Sequence, residues 1–349
     1  MSPPAIPGPL EPGQPGQPVY IPVMYPKTSV LARLLMAIPW LVGGFITLTI
    51  LVMMMNPDSM SADPENKLEE RYHSLNKEGA NKIAVIEVDG VIEDGEQVKK
   101  QIDKVKNDPK VKAIVLRVDS PGGTVTGSDF IYHHLKKVAD ERKLPIVVSM
   151  GGLAASGGYY VSMACGKTEN VIFAEPTTWT GSIGVLIPHY NVAGLMEKWQ
   201  VEDDTIKSRP LKGLGSITRK MTEDERKVFV ELVNESFNRF KDIVKSGRPK
   251  LTDPKTLDDA TTGQIFTTSQ ALKLGLVDKE GFIEDAIARA LELAQLEAGA
   301  TKVVKYHRPK SFVDALAGAS ASANQSELKV LRNLTSPRAY YLFTWPGLE

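Results

Sequence analysis

Residues 147–161 read VVSMGGLAASGGYYV, and their reading decides how the chain is organised. The apolar run Ile146-Val147-Val148 has the composition of a buried strand. It passes into the small residues Ser149, Gly151, Gly152, Ala154, Ala155, Ser156, Gly157 and Gly158. Tyr159, Tyr160, Val161, Met163 and Ala164 then suit the first turns of a helix. Ser156 therefore stands at a strand-to-helix turn among the smallest side chains. Small neighbours let a second backbone approach closely. A helix N-terminus presents unpaired N–H groups and a partial positive charge, which suit a developing oxyanion. Two readings follow from this stretch alone: a nucleophile beside an oxyanion hole, or a tight turn whose glycines serve packing only.

A second stretch bears on the choice. Lys112–Thr124 reads KAIVLRVDSPGGT. Ala113–Val118 has the pattern of another buried strand, and it ends in Asp119-Ser120-Pro121-Gly122-Gly123. Proline and paired glycines at a strand end give a loop whose N–H groups are free to point at a ligand. Two further pieces stand downstream, TGSIGV at Thr180–Val185 and IKSRPLK at Ile206–Lys212. With VDSPGG and ASGGYY, in this order and spacing, the chain resembles the signal peptide peptidase A family of serine peptidases. That family sits in the wider Clp protease and crotonase superfamily. The resemblance runs from about residue 82 to about residue 310. It implies an α/β fold of the Clp/crotonase type, in which ββα turns stack into a superhelix.

A serine hydroxyl is a weak nucleophile and needs a base. The chain has five histidines, His73, His133, His134, His189 and His307. Only His189, just after the apolar run Ile183–Ile187, is a serious candidate. Lysine is the other option. Taken locally, Lys207 follows the acidic run Val201-Glu202-Asp203-Asp204-Thr205-Ile206 and reads as a surface residue. The resemblance reverses that reading. It implies that Lys207, 51 positions after Ser156, is the general base, and that Ser182 hydrogen-bonds its amine. It also implies an oxyanion hole from the N–H groups of Gly123 and Gly157. The sequence departs from the family pattern at Arg209, which stands where the IKSG-type motif has glycine. Lys212 reads as a residue lining the site or meeting solvent. The expected chemistry is a Ser/Lys dyad acyl-enzyme mechanism on peptides, with no cofactor and no metal. Two rival classes share the fold: a crotonase-type enzyme acting on acyl-CoA, and a catalytically silent membrane scaffold.

Composition narrows the partners. Lys plus Arg and Asp plus Glu both number 42, so the formal charge is zero, which argues against nucleic acid. The single Cys165 excludes an intramolecular disulfide or a Cys-rich metal site and reads as a packed thiol. Residues 1–30 are rich in Pro, Gly and Gln and are expected to be a disordered tail. Leu34–Asn56 carries no charge and is long enough to span a bilayer. It is longer and starts later than a signal-peptide core, so a retained transmembrane helix within 31–56 is expected. Lys27 and Arg33 precede it and acidic residues follow. The positive-inside rule then puts the N-terminus in the cytoplasm and the bulk on the extracytoplasmic side of the cell membrane.

Residues 57–80 are polar and read as a stalk, residues 81–310 as the peptidase domain. In that domain, strands are expected at Ile83–Val88, Ala113–Val118, Pro145–Val148, Val171–Ala174 and Ile183–Ile187. Helices are expected at Gly95–Lys106, Gly127–Arg142, Asn191–Trp199 and Thr222–Ser246, the last with Thr222 and Glu225 as a capping box. Strands alternating with helices imply a largely parallel sheet. Residues 311–349 read as a flexible Ala/Ser-rich linker and an aromatic segment, SPRAYYLFTWP. Whether that segment docks on the body, a neighbouring subunit or the membrane is left open by the sequence. The resemblance further implies remnant signal peptides as substrates and a homo-oligomer.

Overall fold

The computed structural model describes residues 68–307 and 339–342, with Ile38, Pro39, Gly43–Phe45 and Thr47. The chain divides into two units, Met1–Asp63 and Pro64–Glu349. The described positions of the first unit are helical. No described helix is long and apolar enough to cross a membrane. The run Leu34–Asn56 lies almost wholly outside the described residues, as do residues 1–30 and the linker after residue 310.

The second unit begins with β1 (Glu69–Leu75) and β2 (Asn81–Asp89). Helix α1 (Glu96–Asn107) leads to β3 (Val111–Ser120) and the short β4 (Gly122–Thr124). Thr124 caps α2 (Val125–Arg142), accepting from Gly127 N. Then come β5 (Ile146–Ala155), α3 (Gly157–Ser162), β6 (Ile172–Ala174), β7 (Trp179–Gly181) and α4 (Ala193–Lys198). Helix α5 (Glu223–Gly247) opens with both bonds of the Thr222/Glu225 capping box. The rest comprises α6 (Pro254–Ala260), β8 (Ile265–Thr267), α7 (Thr268–Leu274), β9 (Lys279–Glu280), α8 (Ile283–Leu293), β10 (Thr301–His307) and β11 (Tyr340–Leu342).

Among the described residues, one sheet has the order β1-β10-β2-β3-β5-β6-β9, with β7 on β5 and β8 on β7. All its pairings are parallel except β1 with β10 and β7 with β8. The result is a mixed α/β fold with a mostly parallel sheet. Parallel strands are covered on both faces, which accounts for the unbroken apolar runs Ile83–Ile86 and Ala113–Leu116, all fully buried. Helix α8 packs on β3, β5 and β6, and α1 packs on β2 and α2.

Strand β5 differs from expectation. Its apolar run does not end at Val148 but continues through the small residues to Ala155. Val118 pairs with Met150 and Ser120 with Ala154, so β5 bulges opposite Asp119. Gly151 and Gly152 sit in the bulge. A methyl group on Gly151 would lie 2.7 Å from Asp119 Oδ2, and Asp119 Oδ1 accepts from Leu153 N at 3.0 Å. Before the bulge β5 pairs with β6, and after it with β7. A branched strand of this kind turns the sheet towards the site.

Two other expectations are corrected. The expected strand Ile183–Ile187 is not one: the pairing run lies earlier, at Trp179–Gly181, and only Leu186 makes an isolated bridge. Glu69–Leu75, read as stalk, is the edge strand of the sheet, paired antiparallel to Lys302–His307. Thr301–His307 is an inner strand between β1 and β2. Cys165 is packed and buried, and burial pushes its thiol up to about 12.

One buried ion pair ties the end of α5 to the strands. Arg248 Nη2 meets Asp278 Oδ1 at 2.8 Å, with side chains 6% and 9% exposed. Asp278 Oδ2 accepts from Val171 N and Ile172 N, both at 3.0 Å. Burial opposes ionisation of Asp278, but the Arg248 hydrogen bond and charge and the two amides hold its carboxyl below the ordinary value of 3.8. A depressed carboxyl pKa contributes stability that is present above the unfolded value and is lost as pH falls through the folded one. Asp278→Ala should therefore cost about 3–5 kcal/mol by leaving a buried guanidinium unpaired. Denaturant titrations of the two proteins should converge as pH is lowered below about 4.

Candidate active site

Ser156 closes β5 and caps α3, with φ 53° and ψ −113°. A non-glycine residue at positive φ costs about 1–3 kcal/mol and persists only where its surroundings hold it. Here they do. Ser156 N donates to Gly181 O at 2.8 Å, and Tyr160 N donates to Ser156 O at 2.9 Å. The pairing Ala155↔Gly181 carries Ser156 and Ser182 forward side by side on neighbouring strands. Ser182 is likewise at positive φ, 49°, and its N–H donates to Gln264 O at 2.7 Å. The two serines are 1% and 7% exposed.

The Gly122-Gly123 loop comes to the same place. Ser120 Oγ accepts from Gly122 N at 3.1 Å and donates to Gly90 O at 2.6 Å. Ile92 N donates to Gly122 O and Thr124 N to Ile92 O, each at 2.8 Å. Gly122 has φ 96°, which only glycine adopts readily. Its Cα lies against the start of α3: a methyl group there would be 2.6 Å from Gly157 N. A methyl on Gly157 would be 3.1 Å from Gly123 N and 2.4 Å from Ser128 Oγ. One on Gly123 would be 1.9 Å from Ile92 O. The first N–H groups of α3 have no intrahelical acceptor, and the backbone nitrogens of Gly123 and Gly157 lie close together at the residue that follows Ser156. Backbone donors grouped at a helix start are the kind an acyl-transfer oxyanion needs.

Ser156, Gly157, Gly123 and Ser182 are thus brought together, whereas the contacts of Lys207 lie on its own loop. It lies half-buried on the irregular segment 201–207. Its stem covers Gly213, where a methyl group would lie 2.9 Å from Cε and 3.0 Å from Nζ. No hydrogen bond among the described residues joins Lys207 to either serine. Asp203, on the same segment, is held below the ordinary carboxyl value chiefly by Thr205 and then Thr218, with the Lys207 charge contributing least. His189 Nε2 faces Ser216 O at 3.3 Å and makes no bond to Ser156. Among the described residues no group of three His, Cys, Asp or Glu side chains could hold a metal. The sequence reading places Gly122 in the loop but misses its approach to Gly157, and it misses Ser128, which packs against Gly157.

The chain matches the model of Peptidase family S49 over residues 138–297 and that of Clp protease over residues 70–179. It is 38% identical over 239 residues to the Synechocystis sp. protein "Putative protease slr0021", an overlap of 68% of this chain and 83% of that protein. The chain belongs to peptidase family S49. It is a serine peptidase, and its fold is consistent with the Clp/crotonase-like class. The Salmonella typhi "Protease 4" is 38% identical over 224 residues, 62% of this chain but 35% of that protein. The Enterococcus faecium "Putative signal peptide peptidase SppA" is 38% identical over 226 residues, 60% of this chain and 64% of that protein.

In an S49 peptidase built this way, the close glycine contacts are testable. Gly123→Ala and Gly157→Ala should each lower kcat for a peptide substrate by at least about 10²-fold, the worth of one oxyanion donor. Gly194→Ala, which has nothing within 4 Å of the added methyl, should match the parent. Steady-state kinetics alongside thermal melts separates lost catalysis from lost folding.

Proposed function

We propose that the protein is a membrane-anchored serine endopeptidase that degrades remnant signal peptides and similar apolar peptides through a Ser/Lys dyad. Ser156 attacks the peptide carbonyl, the Gly123 and Gly157 N–H groups receive the oxyanion, and Lys207 takes the proton with Ser182 holding its amine. The amine then activates water to release the acyl group. The observation that carries the reading is the meeting of Ser156, at a strained strand-to-helix turn, with the SPGG loop at Gly157. A crotonase-type reaction needs the hole but not the serine, and the buried, positive-φ placement of Ser156 favours peptide chemistry. The name of the Enterococcus relative supports the substrate class, and the charge-free run Leu34–Asn56 supports an anchor near such substrates.

Lys207 must close on the serines for the dyad to work. The stretch from the end of α4 to Lys207 presents unusually exposed apolar side chains, Trp199 at 76% and Ile206 at 97%. Single exposed apolar residues are ordinary, but a cluster on one loop marks a contact surface. We infer that association with further copies of the chain covers this loop and seats the lysine.

A serine-directed fluorophosphonate should label the parent and leave Ser156→Ala unlabelled. Lys207→Ala should lose about 10²–10⁴-fold in peptide turnover, the range for a general base, while His189→Ala should keep it. Labelling of Ser156→Ala at the parent rate would refute the nucleophile. Full turnover in Lys207→Ala with loss in His189→Ala would reassign the base.

A further inference from the structure

The connection between α4 and α5 carries more polar ties than a loop needs, and they converge beneath Lys207. Glu225 stands at the third position of α5 and is only 1% exposed. A carboxylate so buried must be paired to stay ionised. Arg219 pairs it as a fork, Nη1 donating to Oε2 at 2.8 Å and Nη2 to Oε1 at 2.5 Å. Thr222 N donates to Oε2 at 2.9 Å. The Arg219 bond above all, with the Thr222 backbone, holds the Glu225 carboxyl down at about 2 against the opposing effect of burial. The pair therefore stays charged from mildly acidic pH upward. A capping box needs only the bond to Thr222 N, so the fork to Arg219 is an addition to it.

Arg219 spends its remaining donors on main chain. Nη2 also donates to Gly213 O at 3.1 Å, and Nη1 to Lys220 O at 3.3 Å. Gly213 has φ 133°, a conformation that glycine alone takes readily. Its bare Cα is the surface on which the Lys207 stem lies: a methyl there would be 3.4 Å from Cδ, 2.9 Å from Cε and 3.0 Å from Nζ. The buried carboxylate thus reaches the lysine through one guanidinium and one glycine. A second tie closes the loop from the other side. Thr218 Oγ1 donates to Asp203 Oδ2 and lies 2.6 Å from Ser216 Oγ, which fastens the residues before Lys207 to those after Gly213. Val192 N donates to Ile217 O at 2.8 Å and anchors the same turn to the start of α4.

We propose that Arg219 is a positioning residue for Lys207: locked to the buried Glu225, it fixes Gly213 and with it the place of the lysine stem. This rests on the assignment of Lys207 as the base. A lysine amine rides on a flexible four-carbon stem, and a misplacement of about 1 Å in a reacting group costs on the order of 10²-fold in rate. Holding the stem is separate from drying the amine, which the relay does not do.

Steady-state kinetics of the full chain on a peptide thioester, whose good leaving group keeps slow variants measurable, tests this. Arg219→Ala should lower kcat by about 10–10²-fold. KM should stay within about twofold, because a misplaced base weakens the chemical step and not substrate binding. Glu225→Gln keeps the cap, since glutamine serves at that position, but loses one bond of the fork, and its kcat should fall about tenfold. Gly213→Ala leaves the Arg219–Glu225 pair intact and displaces the stem, so it should lose kcat as Arg219→Ala does. Gly166→Ala, also at positive φ but with nothing within 4 Å of the added methyl, should keep it. The double variant separates positioning from general support: in a Lys207→Ala background, Arg219→Ala should cost less than about twofold more. Thermal melts identify a variant that fails to fold, in which case the same cycle is run with Gly213→Ala. Losses that multiply in the double variant would overturn the proposal, as would parental kcat in Arg219→Ala and Gly213→Ala while Lys207→Ala is impaired. Parental kcat in Lys207→Ala would instead sink the base assignment, and the relay with it.

Discussion

The Gly122 backbone rests against the first amide of α3, and much of the surrounding structure exists to permit that approach. A single Cβ at Gly122, Gly123 or Gly157 would collide with main chain or with Ser128. Contact between two backbones gives donors a fixed direction that side chains, with their rotamer freedom, cannot match. The parallel pairing of β3 and β5 delivers the two ends to one place. Both strands reach the site at their C-terminal ends, where open parallel sheets bind ligands. The bulge at Gly151-Gly152 then lets β5 run further than β3 and change partner to β7, so that Ser156 arrives beside Ser182.

Buried hydroxyls hold these strand ends. Thr178 Oγ1 donates to Gly151 O at 2.6 Å, Thr180 Oγ1 to Ala154 O at 2.7 Å, and Ser128 Oγ to Thr124 O at 2.9 Å. All three residues are fully buried. Each adds a hydrogen bond to a buried backbone carbonyl where a strand bends or ends, and the two threonines tie β5 to the segment that follows β6. The positive-φ conformations of Ser156 and Ser182 are sustained by this network together with the strand pairings. Strain of this size is tolerable only where several independent contacts would have to break for it to relax.

Legibility in the sequence followed the physics of each element. Central strands and long helices carry strong periodicity, so β2, β3, α1, α2 and α5 were readable nearly to their ends. The Thr222/Glu225 box was readable because capping is local. The reading stops β5 short because its second half is built of glycine and alanine, which carry no strand pattern; its pairing there comes from β7 and from the Asp119 side chain across the bulge. Edge strand β1 is polar on most positions, having one solvated edge and little to bury, and so looked like a stalk. Strand β7 is three residues long and owes its pairing to register with β5, a long-range property no window contains. Of the site, Ser156, Ser182 and the two glycines were legible as motifs. The docking of Tyr340–Leu342 between β4 and Leu186 was not, since it depends on two facing edges contributed by residues more than 150 positions upstream.

The halves of the site differ in how firmly they are made. The half around Ser156, Gly122, Gly123 and Gly157 is built from buried backbone, and hydrogen bonds within the one chain fix it. The proton-accepting half, on the proposed reading, hangs on one lysine at the end of an exposed loop whose neighbours Trp199 and Ile206 find nothing to cover them within the described residues of the chain. A neutral amine needs an apolar, desolvated setting, and a loop bathed in water does not supply one.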